Sequence, residues 1–192
     1  MGERRVSTDY ALLVECAESF QKTGELFIDS IRQRYPEGSS LKPPSGLGEL
    51  VCCATNLGFG LELYLKAILV KLGEEYPRQH DLSKLYAMLP VEVKESVERV
   101  YEGYLKSVPA GVHASITVAK GPRVPPKWFD YTKEPKDLSS VLYRSRDLFR
   151  SWRYLFEIKL GDEVSYEVHE FEYRLLQFAC KALRTQLKPK RM

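Results

Sequence analysis

The sequence predicts one all-α domain spanning residues 1–192 and built from five to six helices. Three observations carry that prediction. Apolar residues recur at three- and four-residue spacing over long stretches, as they do on one face of a helix. Proline or glycine closes most of those stretches, where a helix stops. Strand-type patterning is confined to two short segments, around 116–119 and 158–168. A chain of 192 residues suits one domain with a sizeable core.

The first helix is expected over about 8–34, capped by Ser7 or Thr8 and ended by Tyr35-Pro36-Glu37-Gly38. The second, over about 47–72, is the clearest. Leu47, Leu50, Val51, Ala54, Leu57, Leu61, Leu65, Ile68, Leu69 and Leu72 form one stripe, Cys52, Phe59 and Val70 a second flank, and Gly73 a stop. Two apolar flanks make this helix central. Gly58 and Gly60 cost helix propensity, and a close helix–helix approach accounts for them. A turn, Glu74 to His80, leads to a short helix over 81–88, and a fourth helix over about 91–106 opens at Pro90.

Residues 107–136 break the pattern with prolines at 109, 122, 125, 126 and 135, which marks a long irregular insertion loop. Within it, 116–119 reads as a short strand. A fifth helix is expected over about 138–157, with Leu138, Val141, Leu142, Leu148, Phe149, Trp152, Leu155 and Phe156 as its core stripe. Gly161-Asp162 marks a small hairpin or a turn. A last helix is expected over about 167–187.

Hydrophobic residues make up 44% and charged residues 29%, a globular balance that argues against wholesale disorder. The net charge of +3 is too small to imply nucleic acid by composition alone. The start of the chain lacks the apolar run of a signal peptide, and Glu62, Lys66 and Lys71 interrupt the most apolar segment, so a cytoplasmic protein without a membrane span is expected. Cys16, Cys52, Cys53 and Cys180 have no metal-site spacing and read as reduced, small apolar residues. No phosphate-binding glycine loop, dinucleotide turn, GxSxG or HExxH occurs. Neither a cofactor nor a metal is therefore expected.

The most specific stretch is LGFGLELYLKAILVKLGEEYPRQHDLSKLYAML, residues 57–89. A long apolar helix with a Leu-Lys-Ala-Ile-Leu core is followed by a loop and then by His-Asp-Leu opening a second helix. This resembles the HEPN class (higher eukaryotes and prokaryotes nucleotide-binding domain). The resemblance implies a helical bundle, commonly a homodimer, that binds RNA, a nucleotide or a protein partner, in some cases within toxin–antitoxin or defence systems. It also implies an activity found in many members, metal-independent RNA cleavage by an Arg followed by a His after four to six residues. There the His serves as base toward a ribose hydroxyl and the Arg steadies phosphate charge. This sequence departs from that signature. No Arg stands at the required distance before His80, His113 or His169; the nearest equivalent is Lys106 before His113.

The candidate ligand-binding residues are Arg146, Arg150, Arg153, Glu157, Tyr154, Glu62, Lys66, His80 and Asp81. On a continuous helix Arg146, Arg150, Arg153 and Glu157 fall along one flank. Three guanidiniums in a line match phosphate geometry, and a solvated face with an Arg153–Glu157 pair is an equal alternative. Glu62 and Lys66 form an i,i+4 pair. Glu62 lies at the edge of the apolar stripe, and a partly buried carboxylate there needs a cation, which the fifth helix can supply. Asp81 is expected to cap the short helix and His80 to orient its turn, a structural role favoured over catalysis. Lys127-Trp128-Phe129-Asp130-Tyr131 reads as a lid folded on the bundle in preference to a base-stacking surface.

These readings point to a non-catalytic or degenerate HEPN-like domain that binds nucleic acid, nucleotide or a protein partner. The alternatives are a metal-independent endoribonuclease with an atypical Arg/Tyr/Glu site and a structural dimerisation domain without ligand.

Overall fold

The computed structural model describes residues 10–34, 47–107, 116–120, 135–153 and 167–187. The helices are α1 (Tyr10–Arg34), α2 (Leu47–Lys71), α3 (Leu82–Ala87), α4 (Val91–Lys106), α5 (Leu138–Arg144), α6 (Leu148–Arg153) and α7 (Tyr173–Thr185). Two strands, β1 (Ile116–Lys120) and β2 (Glu167–Phe171), pair antiparallel with Ile116 opposite Phe171 and Lys120 opposite Glu167. The architecture is an all-α bundle carrying this one small β ladder.

α2 is the central element. It packs against α1 along its length, and also against α3, α6 and α7. From Leu61 to Leu69 every residue is buried, including the polar ones. By length and composition α2 could cross a membrane, but 78% of its most apolar window is buried inside the protein, as in a core helix.

α1 and α2 run antiparallel: Arg34 pairs with Glu49 at one end, and Phe20 meets Phe59 toward the other. A Cβ on Gly60 would stand 3.2 Å from the Gln21 backbone nitrogen and 3.3 Å from the Ala17 carbonyl oxygen. A Cβ on Gly58 would stand 3.1 Å from the Phe149 backbone nitrogen. The two glycines thus let α1 and α6 approach α2 from different sides, the close approach that the sequence required. Beside this contact Tyr64, fully buried, donates its hydroxyl to the buried Gln21 at 2.7 Å, so these two polar side chains are paired.

Helix ends follow the expected chemistry. α2 stops at Gly73, whose φ of 81° lies in the left-handed region, and the Glu74 N–H returns to the Leu69 carbonyl at 2.9 Å. The Asp81 carboxylate caps α3 by accepting from the Lys84 N–H at 3.1 Å. Asp137 caps α5 in the same way through the Ser140 N–H at 2.9 Å.

Two expectations are corrected. The fifth helix does not run unbroken: a turn at 145–147 divides it into α5 and α6. Ser145 is buried at the break, and the Asp147 carbonyl starts the next helix by accepting from the N–H groups of Arg150 and Ser151. The break is short enough to keep the apolar stripe nearly in phase, so periodicity alone did not reveal it. The last helix starts at Tyr173 and not at 167, because 167–171 form β2. Its partner is the short strand expected at 116–119, more than forty residues away in sequence. The hairpin or turn at 158–166 and the Lys127–Tyr131 group lie outside the described residues.

The ladder is tied to the core through Phe171, which is fully buried with its ring 5.3 Å from that of Trp152 on α6. Arg144 makes a bidentate pair with Glu172, at 2.9 and 3.0 Å from one guanidinium nitrogen, and donates to the Pro135 carbonyl at 2.8 Å. This strut fixes α5 to the start of α7.

Candidate functional site

α2 carries a carboxylate in the middle of its apolar stripe. Glu62 is 1% exposed, and charge at that depth demands partners. It has two. Lys66, one turn on, donates to Oε1 at 2.6 Å, and its own side chain is 11% exposed. His80 reaches Oε2 through Nδ1 at 2.9 Å. The contacts to Glu62 therefore come from Lys66 on α2 itself and from His80 on the loop that follows it, and among the described residues none comes from the fifth helix. The Lys66 ammonium also lies 5.1 Å from the centre of the Tyr76 ring, a second favourable contact.

The loop between α2 and α3 makes this possible. Gly73 turns the chain, and the segment 74–81 folds back so that His80 lies over α2. Asp81 then opens α3, accepting from the Ser83 hydroxyl at 2.7 Å as well as from the Lys84 N–H. Burial opposes ionisation of Asp81, but the hydrogen bonds from Ser83 and Lys84 outweigh it and hold the carboxyl below its ordinary value. The capping role expected of Asp81 is observed. His80 does more than orient the turn, because it joins the loop to a buried acid 18 residues earlier.

The other wall is aromatic. The Phe149 ring lies 5.4 Å from that of His80 and 5.1 Å from that of Phe59, and Phe59 meets Phe20 edge-on at 4.6 Å. The row Phe20–Phe59–Phe149–His80 leads from the α1–α2 interface to the surface, where the His80 side chain is 55% exposed. The Leu82 N–H donates to the Arg146 carbonyl at 3.2 Å, which sets the α5–α6 turn against the start of α3.

Arg146 and Arg150 lie on the α5–α6 segment whose backbone meets the start of α3, but they are not rungs of one helix. Arg146 sits in the turn. Its guanidinium lies 4.4 Å from the Tyr143 ring centre, donates to the Tyr143 carbonyl at 3.2 Å and stands 3.8 Å from Asp147. Arg150 is exposed on α6 next to Phe149. Arg146 lies in the 145–147 turn and Arg150 on α6, so the two do not sit on one continuous helix. Tyr154 and Glu157, and the side chain of Arg153, lie outside the described residues.

The structure thus joins Glu62, Lys66, His80 and Asp81 to the neighbourhood of Arg146 and Arg150. Phe149 and Tyr76 were missed as members of the site. Glu62 inside an apolar stripe signalled a buried ionic centre, but nothing in the local sequence identified His80 as its partner. Among the described residues no cluster of His, Cys, Asp and Glu could hold a metal ion. The arrangement offers a half-exposed imidazole backed by a buried carboxylate at the end of an aromatic row, with Arg146 and Arg150 on the neighbouring α5–α6 segment.

The HEPN domain family model matches residues 60–151, from the buried centre of α2 to α6 and a little under half of the chain. No curated protein and no solved structure matches the sequence. The matched segment holds Glu62, Lys66, His80, Asp81, Arg146 and Arg150 together. Residues 60–151 are therefore similar to a HEPN domain.

Proposed function

We propose that this protein is a HEPN-like module that binds RNA or a nucleotide at the rim formed by His80, Phe149, Arg146 and Arg150, without carrying out the cleavage reaction of the Arg-x4–6-His members. One observation carries the reading: a half-exposed imidazole, backed by a buried carboxylate, packs against Phe149 of α6, with Arg146 in the adjoining turn and Arg150 exposed on the same helix. Phosphate matches the guanidiniums, and a base can stack on the ring. The family assignment supports a nucleotide- or RNA-related role, of the kind HEPN domains serve in toxin–antitoxin systems. The missing Arg before each His supports binding without cleavage. The reading includes a symmetric homodimer, common among HEPN domains, to be tested by light scattering at micromolar concentration. It places the protein in the reducing cytoplasm, in keeping with four unpaired cysteines.

Fluorescence anisotropy with labelled single-stranded RNA, in EDTA and at increasing salt, tests this directly. Binding that weakens with salt, with the RNA intact afterwards, is the expected result. Cleavage in EDTA would favour the endoribonuclease reading. No binding even at low salt would favour the structural dimer.

A further inference from the structure

A buried carboxylate does two things to an imidazole that it touches through Nδ1. It fixes the ring in place, and it selects the neutral tautomer with the proton on Nδ1, because a carboxylate only accepts. The bond between Glu62 Oε2 and His80 Nδ1 at 2.9 Å is of this kind. Glu62 cannot swing away easily: it is 1% exposed, and Lys66 holds its other oxygen at 2.6 Å. Phe149 limits the ring on one face. What remains is Nε2, on a side chain that is 55% exposed.

The charges add to this. Glu62 and Lys66 cancel, so the centre is neutral while His80 is neutral and carries +1 once His80 is protonated. Protonation changes Nε2 from an acceptor into a charged donor without moving the ring. The other charged groups on the surrounding elements are Lys71 on α2, Glu74, Glu75, Arg78 and Asp81 on the loop, Lys84 on α3, paired with Asp81 at 3.6 Å, and Arg144, paired with Glu172, Arg146, Asp147 and Arg150 on the α5–α6 side. Among the described residues it is Glu62 that His80 is hydrogen-bonded to.

Resting on the binding reading above, we propose that His80 is the residue of this site that contacts the phosphate of the ligand, through protonated Nε2, and that Glu62 is its positioning residue. RNA or nucleotide binding is then strengthened by acidification, in addition to the constant attraction of Arg146 and Arg150.

Two measurements test this separately from the binding reading. The first needs no ligand. Nitrogen-15 NMR of the His80 ring, in protein without RNA at about pH 8, should show the proton on Nδ1. Glu62→Gln should blur that preference, because an amide can either donate or accept. A ring protonated on Nε2 in the unaltered protein would overturn the positioning role. The second is the pH profile of binding to short single-stranded RNA between about pH 8 and pH 6. The unaltered protein should bind about tenfold more tightly at the acid end, as gain of one charge-assisted hydrogen bond implies. His80→Gln should keep the binding at the alkaline end and lose the rise. Arg150→Ala should weaken binding at both ends and keep the rise. A His80→Gln protein with the rise intact would overturn the phosphate contact. Total absence of RNA binding would overturn both the contact and the proposed function, while the tautomer result would still decide whether Glu62 positions the ring.

Discussion

Removing Glu62 should destabilise the fold mainly by orphaning Lys66. In Glu62→Ala the Lys66 ammonium, on a side chain only 11% exposed, loses its carboxylate and keeps, among the described residues, the Tyr76 ring. Breaking a buried pair from one side costs about 3–5 kcal/mol. His80, more than half exposed, is resolvated, so the loss of its bond adds little. Glu62→Gln retains the volume and an acceptor and should cost about 1–3 kcal/mol. The decisive variant is the double change Glu62→Leu with Lys66→Met. It fills the same space without either charge and should lie within about 1 kcal/mol of the unaltered protein, or above it in stability. Urea unfolding followed by circular dichroism at neutral pH measures all three. If Glu62→Ala costs under about 1 kcal/mol, the pair is not an isolated buried one. If the double variant is as unstable as Glu62→Ala, the loss comes from packing and not from an orphaned charge.

Further outcomes follow from the same packing. Leu65→Ala, at a fully buried position on α2, should lower stability by about 2–5 kcal/mol in the same urea assay. Gly60→Ala gains helix propensity but forces its Cβ to 3.2 Å from the α1 backbone, so the melting temperature should fall, and a rise would refute the close approach. Asp81 and Asp137 have carboxyl values lowered in the folded state, so their contribution is present above the ordinary carboxylate value and lost as pH falls through the lowered one. Thermal unfolding should therefore show stability falling below about pH 4, and Asp81→Asn should reduce that fall. Burial raises the thiols of Cys53 and Cys180, while Cys52 is exposed, so brief alkylation read by mass spectrometry should label Cys52 and spare those two.

Much of the helical frame was legible because its signals are local. The stripe of α2, Gly73, the Asp81 cap and Pro90 before α4 each act within a turn or two, and the observed boundaries agree closely with them. Gly58 and Gly60 were legible as well, since glycine inside a strong helix calls for a close neighbour. What escaped depends on distance in sequence. The stretch 167–171 became a strand because of a partner at 116–120, not because of its own pattern. The break at 145–147 preserved the apolar phase, although Ser145 and Asp147 are residues that favour helix ends. The site was half legible. Glu62 in an apolar stripe signals a buried charge, and Lys66, His80 and Asp81 stand out as polar residues in the same stretch of sequence. Their grouping was not legible, because His80 reaches Glu62 only through a loop whose path the sequence does not state.

The central claim is that the ligand sits on the rim between the α2–α3 loop and the α5–α6 turn. Backbone amide NMR during titration with short single-stranded RNA tests it most directly. The account predicts progressive shifts at His80, Asp81, Arg146, Phe149 and Arg150, with the exposed far face of α1 around Leu26 unchanged. Shifts concentrated on α1 or α4 with this rim silent, or no shifts at low salt, would contradict it.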